Sequence, residues 1–120
     1  MRGYKPSDYP TIQYWAESRG VEIVPGEWLP SEGLINDQAV CFIVSTDTPV
    51  CFIEYLIAAK TATNDKIDEV VEGCIALAKA LGFKEINALT VKSTVSLRAK
   101  KHGFSGPESV MLLKLGVDNG

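Results

Sequence analysis

VCFIEYLIAAKTATNDKIDEVVEGCIALAKALG, residues 50–82, holds two hydrophobic periods back to back. Its first nine residues are apolar except for Glu54 and Tyr55, the composition of a strand covered on both faces. From Asp65 the spacing changes. Ile67, Val70, Val71, Cys74, Leu77, Ala78 and Leu81 recur on one helical face, and Gly82 suits the C-terminal cap, which predicts a helix over Asp65–Leu81. Strand-to-helix junctions in α/β proteins often hold phosphorylated ligands, because the first helical N–H groups lack partners and carry partial positive charge. Close approach of a phosphate usually requires glycine. The junction AAKTATNDKIDE (58–69) has none, and Asp65 stands at its centre.

Working outward, Ala39–Ser45 and Val50–Ala58 read as strands joined by STDTP (45–49), whose Asp, Thr and Pro favour a tight reversal. A reversal centred on Asp47–Thr48 would place Cys41 opposite Glu54. Gly33–Ile35 is a shorter strand, and Val21–Pro30, punctuated by Pro25, Gly26 and Pro30, reads as irregular with room for one helical turn. Before it, a strand at Arg2–Tyr4 precedes a helix over Asp8–Arg19 with Tyr9, Ile12, Trp15 and Ala16 on one face. Ser7 or Asp8 can cap that helix, Pro10 fits its first turn and Gly20 can end it. After residue 82 come a strand at 86–90, a helix over Thr94–His102 closed by Gly103, and a last strand, VMLLKL (110–115). A helix between Ala58 and Ile86 makes the two strands it joins parallel neighbours. The expected fold is α/β: one domain over residues 1–120, with a mixed central sheet of about six or seven strands and helices on both faces.

A chain of 120 residues can bury a continuous core, and 46% hydrophobic with 22% charged residues is ordinary for a globular protein. Net charge is −3, which disfavours nucleic acid as the main partner, since phosphate neutralisation needs a basic excess. Cys41, Cys51 and Cys74 lie in apolar runs without CxxC or Cys/His spacing, so buried thiols are expected and no metal site. MRGYKPSDYP lacks the apolar stretch of a signal peptide, and no run reaches the roughly 18 apolar residues of a membrane span. A cytoplasmic protein is the expectation, or one packaged from a cytoplasm into a virion.

The order of elements, with FIEYLIAA feeding a helix and KSTVSLRAKKHGF closing a second strand–helix unit, resembles the GNAT (GCN5-related N-acetyltransferase) family. The resemblance runs from RGYKPSDYP to MLLKL, and short variants of this kind are similar to GNAT-like proteins encoded by bacteriophages. It implies an acetyltransferase that moves an acetyl group from acetyl-CoA to an amine acceptor. It also implies a wedge between the fourth and fifth strands, where the backbone of Leu56, Ile57 and Ala58 would face the pantetheine arm. Glu54 would then be the general base, its pKa raised by desolvation; the alternative is a glutamate on a solvated face or paired with a lysine.

The family's Arg/Gln-x-x-Gly-x-Gly/Ala loop falls here on Ala62, Asp65 and Ile67, so the basic residue and both glycine positions are lost. Two readings of the loop follow: a structural helix capped by Thr63, Asn64 or Asp65, or a rebuilt diphosphate loop using Lys60, Thr61, Thr63 and Lys66. The family's tyrosine acid falls on Ala99 and its asparagine near Lys92. Ser93 and Ser96 read as caps or as substrate ligands, and Arg98, Lys100, Lys101 and His102 suit the negative end of a helix or a CoA phosphate, with His102 at the surface. Tyr14, Trp15 and Trp28 fall in the region that shapes the acceptor pocket in such folds. A non-catalytic binding or virion-associated protein with a protein partner is the rival reading, and either fits a homo-oligomer.

Overall fold

Alternation along Ala39–Ser45 sends Ala39, Cys41 and Ile43 to one side of a sheet and Val40 and Phe42 to the other. In the computed structural model, which describes residues 1–89, 100–104 and 112–116, each set meets a different helix. Strands β1 (Arg2–Gly3), β2 (Gly33–Ile35), β3 (Ala39–Ser45), β4 (Val50–Ala58), β5 (Glu85–Leu89) and β6 (Leu112–Gly116) form a six-stranded sheet in chain order. Every pairing is antiparallel except β4–β5, which is parallel and joined by helix α2, Asn64–Ala80. The mixed α/β sheet expected from the sequence is therefore present, with bounds shifted by one or two residues.

Helix α1 (Tyr9–Ser18) lays Ile12 and Trp15 on Ile35, Val40 and Phe42. Pro10 sits in its first turn as expected, but the Asp8 carboxylate turns away from the helix. It accepts from the Lys5 N–H at 2.9 Å and from both Arg2 nitrogens at 2.6 and 2.8 Å. The Arg2 guanidinium holds the Asp8 carboxyl below its ordinary pKa. At the other end, Gly20 at φ +70° closes the helix, with Gly20 N–H on Glu17 O and Val21 N–H on Ala16 O. Residues Gly26–Trp28 make one 3-10 turn.

On the opposite face, Ile67, Val70, Val71, Cys74, Ile75 and Ala78 of α2 pack on Cys41, Ile43, Cys51, Ile53 and Ile86. All three cysteines are buried and free, as their settings predict. The β3–β4 register corrects the hairpin: Glu54 stands opposite Phe42, not Cys41. The longer loop Thr46–Pro49, pinned by Thr46 Oγ1 donating to Val50 O at 2.7 Å, accounts for the shift.

Helical residues Lys100 and Lys101 agree with the expected closing helix; its earlier part, with Lys92, Ser93, Ser96, Arg98 and Ala99, lies outside the described residues. His102 corrects the surface reading, since its side chain is only 4% exposed. Its Nε2 lies 3.2 Å from Asp68 and its Nδ1 3.5 Å from Glu72, one helical turn apart on α2, and Lys101 also pairs with Asp68. Phe104, buried against α2, anchors the same segment.

Candidate active site

The site begins with a mismatch in strand lengths. β4 pairs with β3 along its length, from Cys51 to Ala58, but with β5 only from Val50 to Ile53. From Glu54 to Ala58 no described strand pairs with the β5-facing edge of β4, which leaves roughly 15 Å of strand edge at about 3.3 Å per residue. Burial records the same event. It alternates up to Ile53, then Glu54, Tyr55, Leu56 and Ile57 are all half-buried in succession before Ala58 is buried again.

A bulge sits where the ladder stops. The pairing Phe42↔Glu54 is followed by Val40↔Ile57, so Cys41 faces two residues of β4. Tyr55 absorbs the extra residue at φ 55°, the left-handed region that a side chain occupies only at a cost. Its ring lies 6.4 Å from Phe42, edge-on, on the α1 face. Alternation with buried Ile53 puts Glu54 on that face too, opposite Phe42.

Glu54 has no hydrogen bond or ion pair among the described residues, and burial raises its carboxyl pKa above the ordinary value. A desolvated carboxylate at the first residue beyond the ladder can take a proton from a group lying in the gap.

The backbone at the far end of β4 is oriented by its neighbours. Ala39 spends its N–H on Asn36 Oδ1 at 2.8 Å and its carbonyl on the Asn36 N–H at 2.9 Å. Ala39 and Ala58 are thus a non-hydrogen-bonded pair, and the Ala58 polar groups point away from β3 toward the gap. The Ala58 carbonyl there accepts from Arg19 Nε at 2.7 Å, and Ala59 O from Arg19 Nη2 at 2.9 Å. Sequence reading passed over Arg19, because a cation before Gly20 looks like an ordinary helix-end residue, and its partners lie 39 and 40 positions away.

The loop between β4 and α2 is held from within. Thr63 caps α2, its Oγ1 accepting from the Lys66 N–H at 3.3 Å. The Thr63 N–H goes to Gln38 Oε1 at 2.9 Å, and Lys66 Nζ pairs with Asp37 at 3.2 Å. Lys60 and Thr61 stand exposed in the turn closed by Ala62 N–H on Ala59 O. Of the four loop residues predicted to hold an anion, Lys60, Thr61 and Thr63 are exposed, and Thr63 and Lys66 already have protein partners. Trp15 is buried against β3, whereas Tyr14 and Trp28 are 69% and 71% exposed.

No family model matches the chain, and no curated protein matches it in sequence. Solved structures do match in fold. The N-acetylglutamate synthase of Neisseria gonorrhoeae, complexed with coenzyme A and N-acetyl-glutamate, superposes over 99% of this chain with TM-score 0.75 at 17% identity. The chain spans about a third of that protein, 35%. A GNAT-family acetyltransferase from Staphylococcus aureus matches over 98% of both chains with TM-score 0.72 at 11% identity. One from Brucella melitensis, in complex with acetyl-CoA, covers 98% of this chain and 86% of its own with TM-score 0.70 at 13% identity. The chain therefore has the fold of the GNAT acetyltransferases.

Proposed function

We propose that this chain is a GNAT-type acyltransferase of one domain, residues 1–120, that moves an acetyl group from acetyl-CoA to an amine. One observation carries the reading: among the described residues the β4–β5 ladder ends at Ile53, and Glu54 is the first residue beyond it. A pantetheine arm laid along that edge would meet the backbone of Leu56, Ile57 and Ala58 as an added strand does. The fold neighbours solved with CoA or acetyl-CoA support that choice of ligand.

In this mechanism Glu54 removes a proton from the acceptor ammonium, directly or through water. The free amine attacks the thioester carbonyl; a C–N bond forms, the C–S bond breaks, and the nitrogen gives up its extra proton to solvent. The sulfur leaves as thiolate and takes its proton from solvent. The protein contributes proximity and deprotonation, with no acyl-enzyme step.

A second reading has a specific observation behind it. Thr63, Gln38 and Asp37 satisfy the groups with which a GNAT loop would hold a diphosphate. A non-catalytic binding protein, degenerate at this loop and similar to phage-encoded GNAT-like chains, would look the same there. Either protein would work in a cytoplasm, in a virion if phage-encoded; among the described residues no helix is long and apolar enough to cross a membrane. Calorimetric titration with acetyl-CoA separates the two. The transferase reading predicts saturable heat with a Kd below about 1 mM, near −4 kcal/mol or stronger. No heat at millimolar ligand leaves only the binding protein.

A further inference from the structure

We infer that Arg19, projected from the end of α1 onto the end of β4, is the residue that binds the diphosphate of the CoA thioester. The inference rests on the acyl-CoA reading and assigns a binding residue outside the loop where the GNAT resemblance would look for one.

The charge is the first argument. Arg19 is exposed, yet its guanidinium is fixed on the carbonyls of Ala58 and Ala59 at 2.7 and 2.9 Å. Those two bonds use Nε–H and one Nη2–H, leaving three of the five N–H donors. Among the described residues no carboxylate pairs with this cation, although Arg2, Lys66 and Lys101 each have one. Two neutral carbonyls do not offset a guanidinium's charge.

Placement is the second. The Ala58 carbonyl points into the gap beyond the β4–β5 ladder, so its donor stands at the mouth of that gap, four residues along β4 from Glu54. A thioester held at Glu54 with its arm along β4 would bring its phosphates to this mouth. Lys60, the next residue after Ala59, is exposed with no described partner and adds a second cation there. Rigidity is the third. Arg19 sits in the helix-closing turn formed by Gly20 at φ +70°, and two carbonyls fix its plane, so little side-chain entropy remains to be lost on binding. Planar, fixed donors suit phosphate oxygens.

The test compares acetyl-CoA with acetyl-pantetheine, which carries the thioester without the diphosphate. Arg19→Ala should lower the ratio of kcat/KM for acetyl-CoA over acetyl-pantetheine by about 10- to 100-fold, the worth of charge-assisted bonds. Arg19→Lys, which keeps the charge without the fork, should lie between. An unaltered ratio in Arg19→Ala overturns the assignment. A second measurement needs neither variant nor turnover: the Arg19 Nε–H resonance of the wild-type protein should shift saturably with inorganic pyrophosphate. A resonance that stays put overturns the assignment as well. A wild-type protein that shifts with pyrophosphate but turns over neither thioester retains the anion site and loses the transferase reading.

Discussion

Replacing Glu54 by Gln should lower kcat by 10²- to 10⁴-fold, the usual span for losing a general base, while acetyl-CoA affinity stays within about threefold. Glutamine keeps the shape and loses only the proton acceptor. The wild-type rate should rise with pH along a limb set above the ordinary glutamate range, because burial raises this carboxyl's pKa. Stability should respond in the opposite sense. A carboxyl whose folded pKa exceeds its unfolded one binds its proton more tightly when folded. Its stabilising contribution is full below the unfolded pKa and is lost as pH rises through the folded pKa. Glu54→Gln should therefore melt no lower than wild type at neutral pH, and the difference should vanish in acid. Steady-state kinetics with thermal melts at two pH values reads both effects. A kcat within twofold of wild type would remove Glu54 from the mechanism.

Phe42→Ala should cost about 3–5 kcal/mol, the range for emptying a fully buried aromatic site. Phe42 has 0% exposure and meets Tyr4 at 4.8 Å and Tyr55 at 6.4 Å, both edge-on. A Cβ on Gly33 would come within 2.6 Å of its ring, so neighbouring backbone already closes on it and can collapse little further. Against a total of about 5–15 kcal/mol for a domain, this is a large fraction. It should appear as a lower denaturant midpoint at unchanged slope. Phe42 also backs both Glu54 and the left-handed Tyr55, so residual activity should fall further than the folded fraction does. A midpoint within a few tenths of molar of wild type would show that the face is not packed as described.

Periodicity made the large elements legible. The apolar stripe from Ile67 to Ala78 and the run from Val50 to Ala58 are strong because a helix face and a twice-covered strand leave little freedom in composition. Register was not legible. Phe42 rather than Cys41 faces Glu54 because the turn takes more residues than a tight reversal, and one residue of slip moves every partner. The bulge at Tyr55 escaped for a related reason. A tyrosine carries no sign of positive φ as a glycine would, and tertiary contacts with Phe42 hold it there.

Long-range polar pairs were the least visible. Arg19 on Ala58 and His102 between Asp68 and Glu72 join residues more than 29 positions apart, and neither end stands out in its own segment. Thr63 illustrates the reverse case. The sequence offers it both as a cap and as an anion ligand, and its hydroxyl accepts from the Lys66 N–H. Capping depends on residues three apart and so is written locally. Glu54 lies between these cases: its isolation among apolar residues marks it, while its place just past the described β4–β5 ladder depends on the register of β5.

The claim on which the account rests is that the Ala58 N–H, on the edge of β4 away from β3, is open to a thioester's arm. Amide exchange at Ala58 in the wild-type protein, with and without saturating acetyl-CoA, tests it directly. The account predicts rapid exchange in the free protein and at least tenfold slower exchange with acetyl-CoA, as the strand edge gains a partner. An Ala58 amide already protected in the free protein, or one whose rate acetyl-CoA leaves unchanged, would contradict it.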